Sequence, residues 1–275
     1  MHQSIEHLIE LALSEDIGAG DITTDNLIQT DKKAEAVIIA KEPVIAAGLN
    51  IAKKVFLKLD SNAVFSPLIK EGEAVKAGDY ICKINANFKA LLTGERTALN
   101  FLQKLSGIAT NVKFYTSLLK DKNIKLLDTR KTTPGWRVAE KYAARIGGAA
   151  NHRFGLFDGV LIKDNHIKAA GSISDAIKTI RKNTSHLLKI EAEASDLIQV
   201  KQAVEAGADI IMLDNMKPAM IKDAVKIINK RALIEVSGGI NYANIKKFAI
   251  DGIDFISSGA LIHSARFVDI SMYIS

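Results

Sequence analysis

The apolar positions of this 275-residue chain follow two rhythms, and the change between them divides it. Between Ser4 and Ser14, the residues Ile5, Leu8, Ile9, Ala12 and Leu13 keep i, i+3, i+4 spacing, which predicts an amphipathic helix with Ser4 as N-cap. Gly18 and Gly20 end it. AEAVIIAKEPVIAAG and NAVFSPLIKEGEAVKAGDYICKI then read as short strands joined by glycine-containing turns. From Thr93, TGERTALNFLQKLSGIATNVKFYTSLL predicts a long helix with Leu99, Leu102 and Leu105 on neighbouring positions of one face. Arg96 falls in its first turn, where a cation opposes the helix dipole. That placement points to a task other than helix stability.

Beyond about residue 120 the rhythm becomes a regular alternation. The runs IKLLD, GVLIKD, LLKIEAE, DIIMLD, ALIEVS and DFISS are continuously apolar, as parallel strands buried on both faces must be. Helix-like segments lie between them: ISDAIKTIRKN, SDLIQVKQAVEAG, KPAMIKDAVKIINK and NYANIKKFAIDG. Roughly six β/α units predict a β/α barrel, complete or nearly so. An open doubly wound sheet would want a G-x-G-x-x-G after its first strand, and none is present.

The strand ends carry the chemistry. Asp128-Thr129-Arg130-Lys131, Lys163-Asp164-Asn165, Glu191 and Glu193, Asp214-Asn215, Ser237-Gly238-Gly239 and Ser257-Ser258-Gly259 all fall at the carboxyl ends of their strands. In a β/α barrel those ends share one rim, where active sites are built. Arg130, Lys131, His152, Arg153 and Lys163 crowd the same rim, and five such groups repel one another unless they bind a multiply charged anion. The two glycine-containing turns after the last strands each precede a helix-like segment and read as a phosphate cradle. Glu193 and Asp214 suit ribose hydroxyls or a Mg²⁺ ion beside a diphosphate. His152, among cations, reads as a hydrogen-bonding group for a carboxylate ahead of a titrating base. His166 reads as orienting its loop, and His263 as a phosphate contact or the end of a helix turn. Pro134 and Gly135 invite a loop that closes over substrate.

Composition narrows the class. The net charge of +6 comes without a basic tail, zinc-finger spacing or aromatics interleaved with arginine, so small anions explain it better than nucleic acid. No apolar run approaches the roughly 20 residues of a membrane span. Cys82 is the only cysteine, which excludes an internal disulfide, and the N-terminus lacks secretory features; a cytoplasmic protein is expected. H-E-x-x-H, G-x-S-x-G and the P-loop signature are all missing.

The strings EDIGAGDITT, GERTALNFLQKLSGIAT, LLDTRKTTPG, NHRFGL, LIKDNH, IEAEA, IMLDN, EVSGGI and SSGALIHSA resemble the quinolinate phosphoribosyltransferase family over nearly the whole chain, in order. The resemblance implies an α/β protein with an N-terminal α/β sandwich domain over 1–110 and an incomplete β/α barrel over 111–265, with the tail 266–275 packing back on the first domain. It implies transfer of phosphoribose to quinolinate with decarboxylation, using Mg²⁺, in a homodimer or hexamer. On that resemblance Arg130, His152, Arg153 and Lys163 hold the quinolinate carboxylates, joined by Arg96 from a neighbouring subunit. Lys131, Ser237, Gly238, Gly239, Ser258, Gly259, Ala260 and His263 serve phosphoribosyl diphosphate. Lys131, Lys163, Glu193 and Asp214 stand closest to the chemistry, and Glu193 and Asp214 also hold the metal, in part through substrate and water. Two alternatives remain: a related phosphoribosyltransferase-fold protein acting on another base, such as the molybdenum-transport-linked paralogues, or a non-catalytic barrel that binds a phosphorylated ligand.

Overall fold

The computed structural model describes residues 3–29 and 32–275. In chain order the elements are α1 (Gln3–Ile17), α2 (Ile22–Leu27), β1 (Lys33–Ala40), β2 (Val44–Ile45), α3 (Leu49–Leu59), β3 (Val64–Pro67), β4 (Ala74–Val75), β5 (Tyr80–Asn87) and α4 (Phe88–Leu118). They continue with β6 (Lys125–Leu127), α5 (Arg137–Ile146), β7 (Val160–Ile162), α6 (Asp164–Ala170), α7 (Ile173–Asn183), β8 (Ile190–Ala194), α8 (Leu197–Glu205) and β9 (Ile210–Asp214). The last are α9 (Pro218–Ile228), β10 (Leu233–Ser237), α10 (Ile245–Phe248), β11 (Phe255–Ser257), α11 (Ala260–His263) and β12 (Ile270–Ile274).

Two compact units result: residues up to Lys113 with Thr132–Gly148 and Ser264–Ser275, and Phe114–Lys131 with Ala149–His263. The first holds an antiparallel sheet ordered β12-β1-β5-β3 together with α1, α3 and α5. β12 lies antiparallel to β1, with Ala36 opposite Ile274 and Ala40 opposite Ile270. Ile38, Ile84, Phe56, Phe101 and Leu105 are fully buried there. The boundary expected at 110/111 does not hold for α5, which groups with this unit and not with the barrel. Side-chain anchoring is the reason. The Trp136 ring stacks on Phe101 at 4.8 Å, and Lys104 lies 3.5 Å from the buried Glu140.

The helix expected from Thr93 begins earlier, at Phe88, where the Asn87 side chain accepts the Lys89 N–H at 2.9 Å. Arg96 therefore lies past two turns of about 3.6 residues, and the helix-dipole argument for it falls away. Gly94, inside this helix, marks a close approach. A Cβ there would sit 2.9 Å from Leu59 Cδ1 and 3.1 Å from Phe56 Cε1.

The second unit is the incomplete β/α barrel. Its six parallel strands run β6-β11-β10-β9-β8-β7, all at the positions the apolar runs predict. β6 and β7 are the two edge strands, with one isolated parallel bridge from Leu127 to Ala150 outside β6. Ile162, Ile190, Ile211, Leu213, Val236 and Ile256 fill the strand layers, while Ile177, Val200, Ile221 and Ile228 fix the helices over them. α10 and α11 are single turns of four residues, shorter than the sequence pattern predicts. Among the described residues no helix is long and apolar enough to cross a membrane.

Candidate active site

Side-chain alternation along a strand puts residues two apart on the same face. Glu191 and Glu193 of β8 therefore share a face, as do Glu235 and Ser237 of β10. The register sets Glu193 opposite Met212, and Ser237 opposite Asp214. These positions make a floor of acidic residues, with the basic groups arriving from the loops after β6 and β7 and from the segment between α5 and β7.

Lys163, the residue after β7, places Nζ 2.6 Å from Glu193 Oε1. Its backbone N–H donates to His166 Nδ1 at 2.9 Å, so His166 closes the first turn of α6 and orients this loop, one of the roles expected for it. Arg153 is half-buried, and its Nη1 donates to the Gly159 carbonyl at 3.0 Å. Its Nε is buried without a hydrogen-bond partner. Burial, followed by the nearby charge of Arg130, lowers the Arg153 pKa, with Glu191, Asp158 and Glu193 acting in the opposite direction. Arg130 and Arg153 are therefore neighbours in the barrel unit, and Arg153 feels its carboxylates.

The loop carrying Arg153 is built by two acids that sequence reasoning left without a role, one buried and one exposed. Asp128 is fully buried; it accepts the His152 N–H at 2.9 Å and the Asn151 Nδ2 at 2.6 Å. Asp158 accepts the N–H groups of Phe154 and Gly155 at 2.7 and 2.8 Å. His152 differs from its expected surroundings. Its ring faces carboxylates, with Nε2 3.1 Å from Glu191 Oε2 and 3.7 Å from Glu235 Oε1. Glu235 was missed altogether, because inside ALIEVS it reads as one polar residue in a buried strand. Burial, then the charge of Glu191, pushes its carboxyl up to about 8, while His152 pulls it down.

The glycine-rich ends divide into two kinds. Gly259 brings its neighbours close: a Cβ there would meet Lys131 Cδ at 2.8 Å and the His263 ring at 3.0 Å. Lys131, Gly259 and His263 thus form one cluster, although they lie far apart in sequence. Gly238 has φ +101°, and a Cβ there would fall 2.3 Å from Asn215 Oδ1. Asn215 itself has φ 55° and donates Nδ2 to Asp214 Oδ2 at 2.8 Å, so Asp214, Asn215 and Gly238 form a second cluster. Gly239 is open, and Ser237 accepts the Asn215 N–H on its carbonyl at 3.0 Å.

Ser258 and Ala260 depart from the phosphate-cradle expectation. The Ser258 N–H donates to the Leu127 carbonyl and its hydroxyl to the Ile240 carbonyl at 2.6 Å, while the same hydroxyl accepts the Ala260 N–H. These groups are spent on the fold. The single-turn helices that follow also carry too few aligned peptides for a helix dipole of normal strength. The loop at 132–135 is no free lid either. Within its unit, the Thr133 N–H and hydroxyl both donate to the Glu140 carboxylate at 2.8 Å. Arg96, exposed on α4, belongs to that other unit.

A basic rim over carboxylates, at the carboxyl ends of an incomplete β/α barrel, defines an enzyme for anionic substrates. Family models supply the rest: the quinolinate phosphoribosyl transferase C-terminal domain matches residues 108–273 and the N-terminal domain matches residues 21–106. The chain belongs to the quinolinate phosphoribosyl transferase family. It is 45% identical over 273 residues to a Synechocystis protein named "Probable nicotinate-nucleotide pyrophosphorylase (carboxylating)", covering 98% of this chain and 92% of that one. A Bacillus subtilis protein of the same name is 42% identical, covering 100% and 94%. The crystal structure of NadC from Streptococcus pyogenes superposes with a TM-score of 0.95 at 41% identity, covering 98% of this chain and 96% of that one.

Proposed function

We propose that this chain transfers the phosphoribosyl group of phosphoribosyl diphosphate to the ring nitrogen of quinolinate, releasing diphosphate and CO₂ and giving nicotinate mononucleotide. The observation that carries the reading is the grouping of Arg130, Arg153 and Lys163 with Glu193 on one barrel rim. A dianionic pyridine dicarboxylate needs several cations. A monocarboxylate base leaves some of them repelling one another unscreened.

In the reaction the nitrogen–C1′ bond forms as the bond from C1′ to the diphosphate oxygen breaks, and the electron pair leaves with diphosphate. The bond to the 2-carboxylate then breaks, its electrons remain on the ring carbon beside N⁺, and a proton completes the product. The protein's task is electrostatic: fixed cations stabilise charge where it develops. Arg130 and Arg153 hold the carboxylates by paired N–H donors, the geometry guanidinium suits. Lys163 leaves Glu193 to meet the ligand. Lys131, beside Gly259 and His263, faces the diphosphate.

Mg²⁺ is part of the proposal. Glu193 and Asp214, on neighbouring strands, offer the hard carboxylate oxygens that ion prefers, so the residues fit it. A Mg²⁺ ion held by these two residues would supply positive charge against the leaving diphosphate. The exposed Arg96 is proposed to enter the site of a second copy, in a homodimer or larger assembly. A cytoplasmic setting fits a chain whose one cysteine, Cys82, is buried and free.

The test is product formation with phosphoribosyl diphosphate and Mg²⁺, offering quinolinate and nicotinate side by side. Nicotinate mononucleotide and CO₂ from quinolinate alone are expected. Turnover of nicotinate, or of neither base, overturns the substrate assignment.

A further inference from the structure

Three side chains from separate parts of the barrel meet beneath the basic rim. His152 comes from the segment between α5 and β7, Glu191 from β8 and Glu235 from β10, and their donor and acceptor atoms lie within 4.8 Å of one another. Glu191 is 6% exposed and Glu235 1%, and one oxygen of each, Oε1, has no hydrogen-bond partner. Burying carboxylates this deeply is unfavourable unless they are paired, hydrogen-bonded or protonated, so their place here calls for a purpose.

The imidazole shows what that purpose is. Its Nδ1 accepts the backbone N–H of Arg153 at 2.8 Å. A ring nitrogen that accepts an N–H carries no proton, so the proton of the neutral ring is on Nε2. Nε2 lies 3.1 Å from Glu191 Oε2. Both ring nitrogens are committed inside the protein, and neither is left to donate to a ligand carboxylate. The same three residue types could hold a metal ion. For that, Nε2 must give up its proton to Nδ1, where it would collide with the Arg153 N–H. The geometry therefore favours a hydrogen-bonded bracket over a metal site.

We infer that Glu191 and Glu235 are positioning residues that act through His152 on Arg153. Glu191 fixes the ring by accepting Nε2–H, and Glu235 closes the space into which ring and carboxylate could turn. The fixed ring holds the Arg153 N–H, and with it the backbone from which the guanidinium is aimed. The ligand carboxylate is bound by the arginine and not by the imidazole. This inference deepens the quinolinate reading and rests on it for the identity of the ligand.

The experiment has two arms. In the wild-type protein, ¹⁵N NMR of the histidine rings should show His152 with Nδ1 unprotonated and Nε2 protonated, with or without quinolinate. An Nδ1–H ring, an imidazolium, or an Nε2 signal displaced by adding Mg²⁺ or Zn²⁺ would each overturn the bracket. In steady-state kinetics, Glu191→Ala should raise KM for quinolinate roughly 10- to 100-fold, the usual penalty for a misaimed binding group. KM for phosphoribosyl diphosphate should stay within about twofold, while Glu191→Gln, whose amide oxygen still accepts Nε2–H, should recover most of the loss. Equal effects on both substrates, no effect, or a Gln variant no better than Ala would refute positioning. If Glu191→Ala does not fold, the wild-type tautomer decides alone. If the wild type does not use quinolinate, the substrate reading fails while the tautomer still tests the bracket.

Discussion

Glu235→Gln is expected to change how stability depends on pH, in the direction opposite to that of most carboxylates. Glu235 sits 1% exposed on β10, where burial and the neighbouring Glu191 raise its carboxyl from the ordinary 4.5 to about 8. Between those two values the folded chain holds a proton that the unfolded chain has released. Stability falls wherever the folded state binds more protons and pH rises. The wild type therefore loses stability from about pH 4.5 up to about pH 8, and the loss levels off above that. A paired surface acid does the reverse and gains stability as pH rises through its range.

The full displacement corresponds to several kcal/mol at about 1.4 kcal/mol per tenfold. Because the charge is shared with Glu191 and His152, a few kcal/mol is the expected effect. Glutamine has nearly the same shape and no proton to lose, so the variant should lack this slope. Urea unfolding followed by circular dichroism, run for both proteins at about pH 5.5 and about pH 8.5, measures it. The variant should gain on the wild type by a few kcal/mol between the two conditions, or roughly 5–10 °C in Tm for a chain of this size. Parallel curves would show that Glu235 is already ionised in the folded state, and a gain toward low pH would reverse the sign. Either result removes the argument that this carboxyl is kept neutral by its surroundings.

Two further outcomes follow from the packing. Gly259→Ala places a methyl 2.8 Å from Lys131 Cδ and 3.0 Å from His263, so the lysine must move while the fold stays intact. KM for phosphoribosyl diphosphate should rise roughly tenfold with Tm changed by only about a few degrees; an unchanged KM would take Lys131 out of that subsite. Glu140→Ala strips the Thr133 N–H and hydroxyl of their acceptor and leaves Lys104 beside a void, at a penalty of about 3–5 kcal/mol. Hydrogen exchange at the Thr133 amide should accelerate first, and exchange no faster than in the wild type would show that the loop is held by something else.

The barrel was legible because periodicity reports burial. Strands such as DIIMLD and ALIEVS are buried on both faces, so their apolar runs mark them without any knowledge of partners. Sequence reasoning did less well where a group's neighbours come from distant parts of the chain. Ser258 looked available for phosphate because its turn is glycine-rich, yet the Leu127 and Ile240 carbonyls claim its donors. Lys131 and His263 could be suspected separately, but only Gly259's missing side chain explains how close they come. The deepest omission was Glu235. Looking for an anion site directs attention to cations at the strand ends, and Glu235 is an acid buried inside an apolar run. A cluster of positive groups cannot be preorganised by its own mutual repulsion. Buried acids hold the loop of His152 and Arg153 in place through backbone N–H and ring N–H donors. A cationic site on a barrel rim should therefore have acidic residues one layer down, and a glutamate stranded inside an apolar run is the sequence signal to look for.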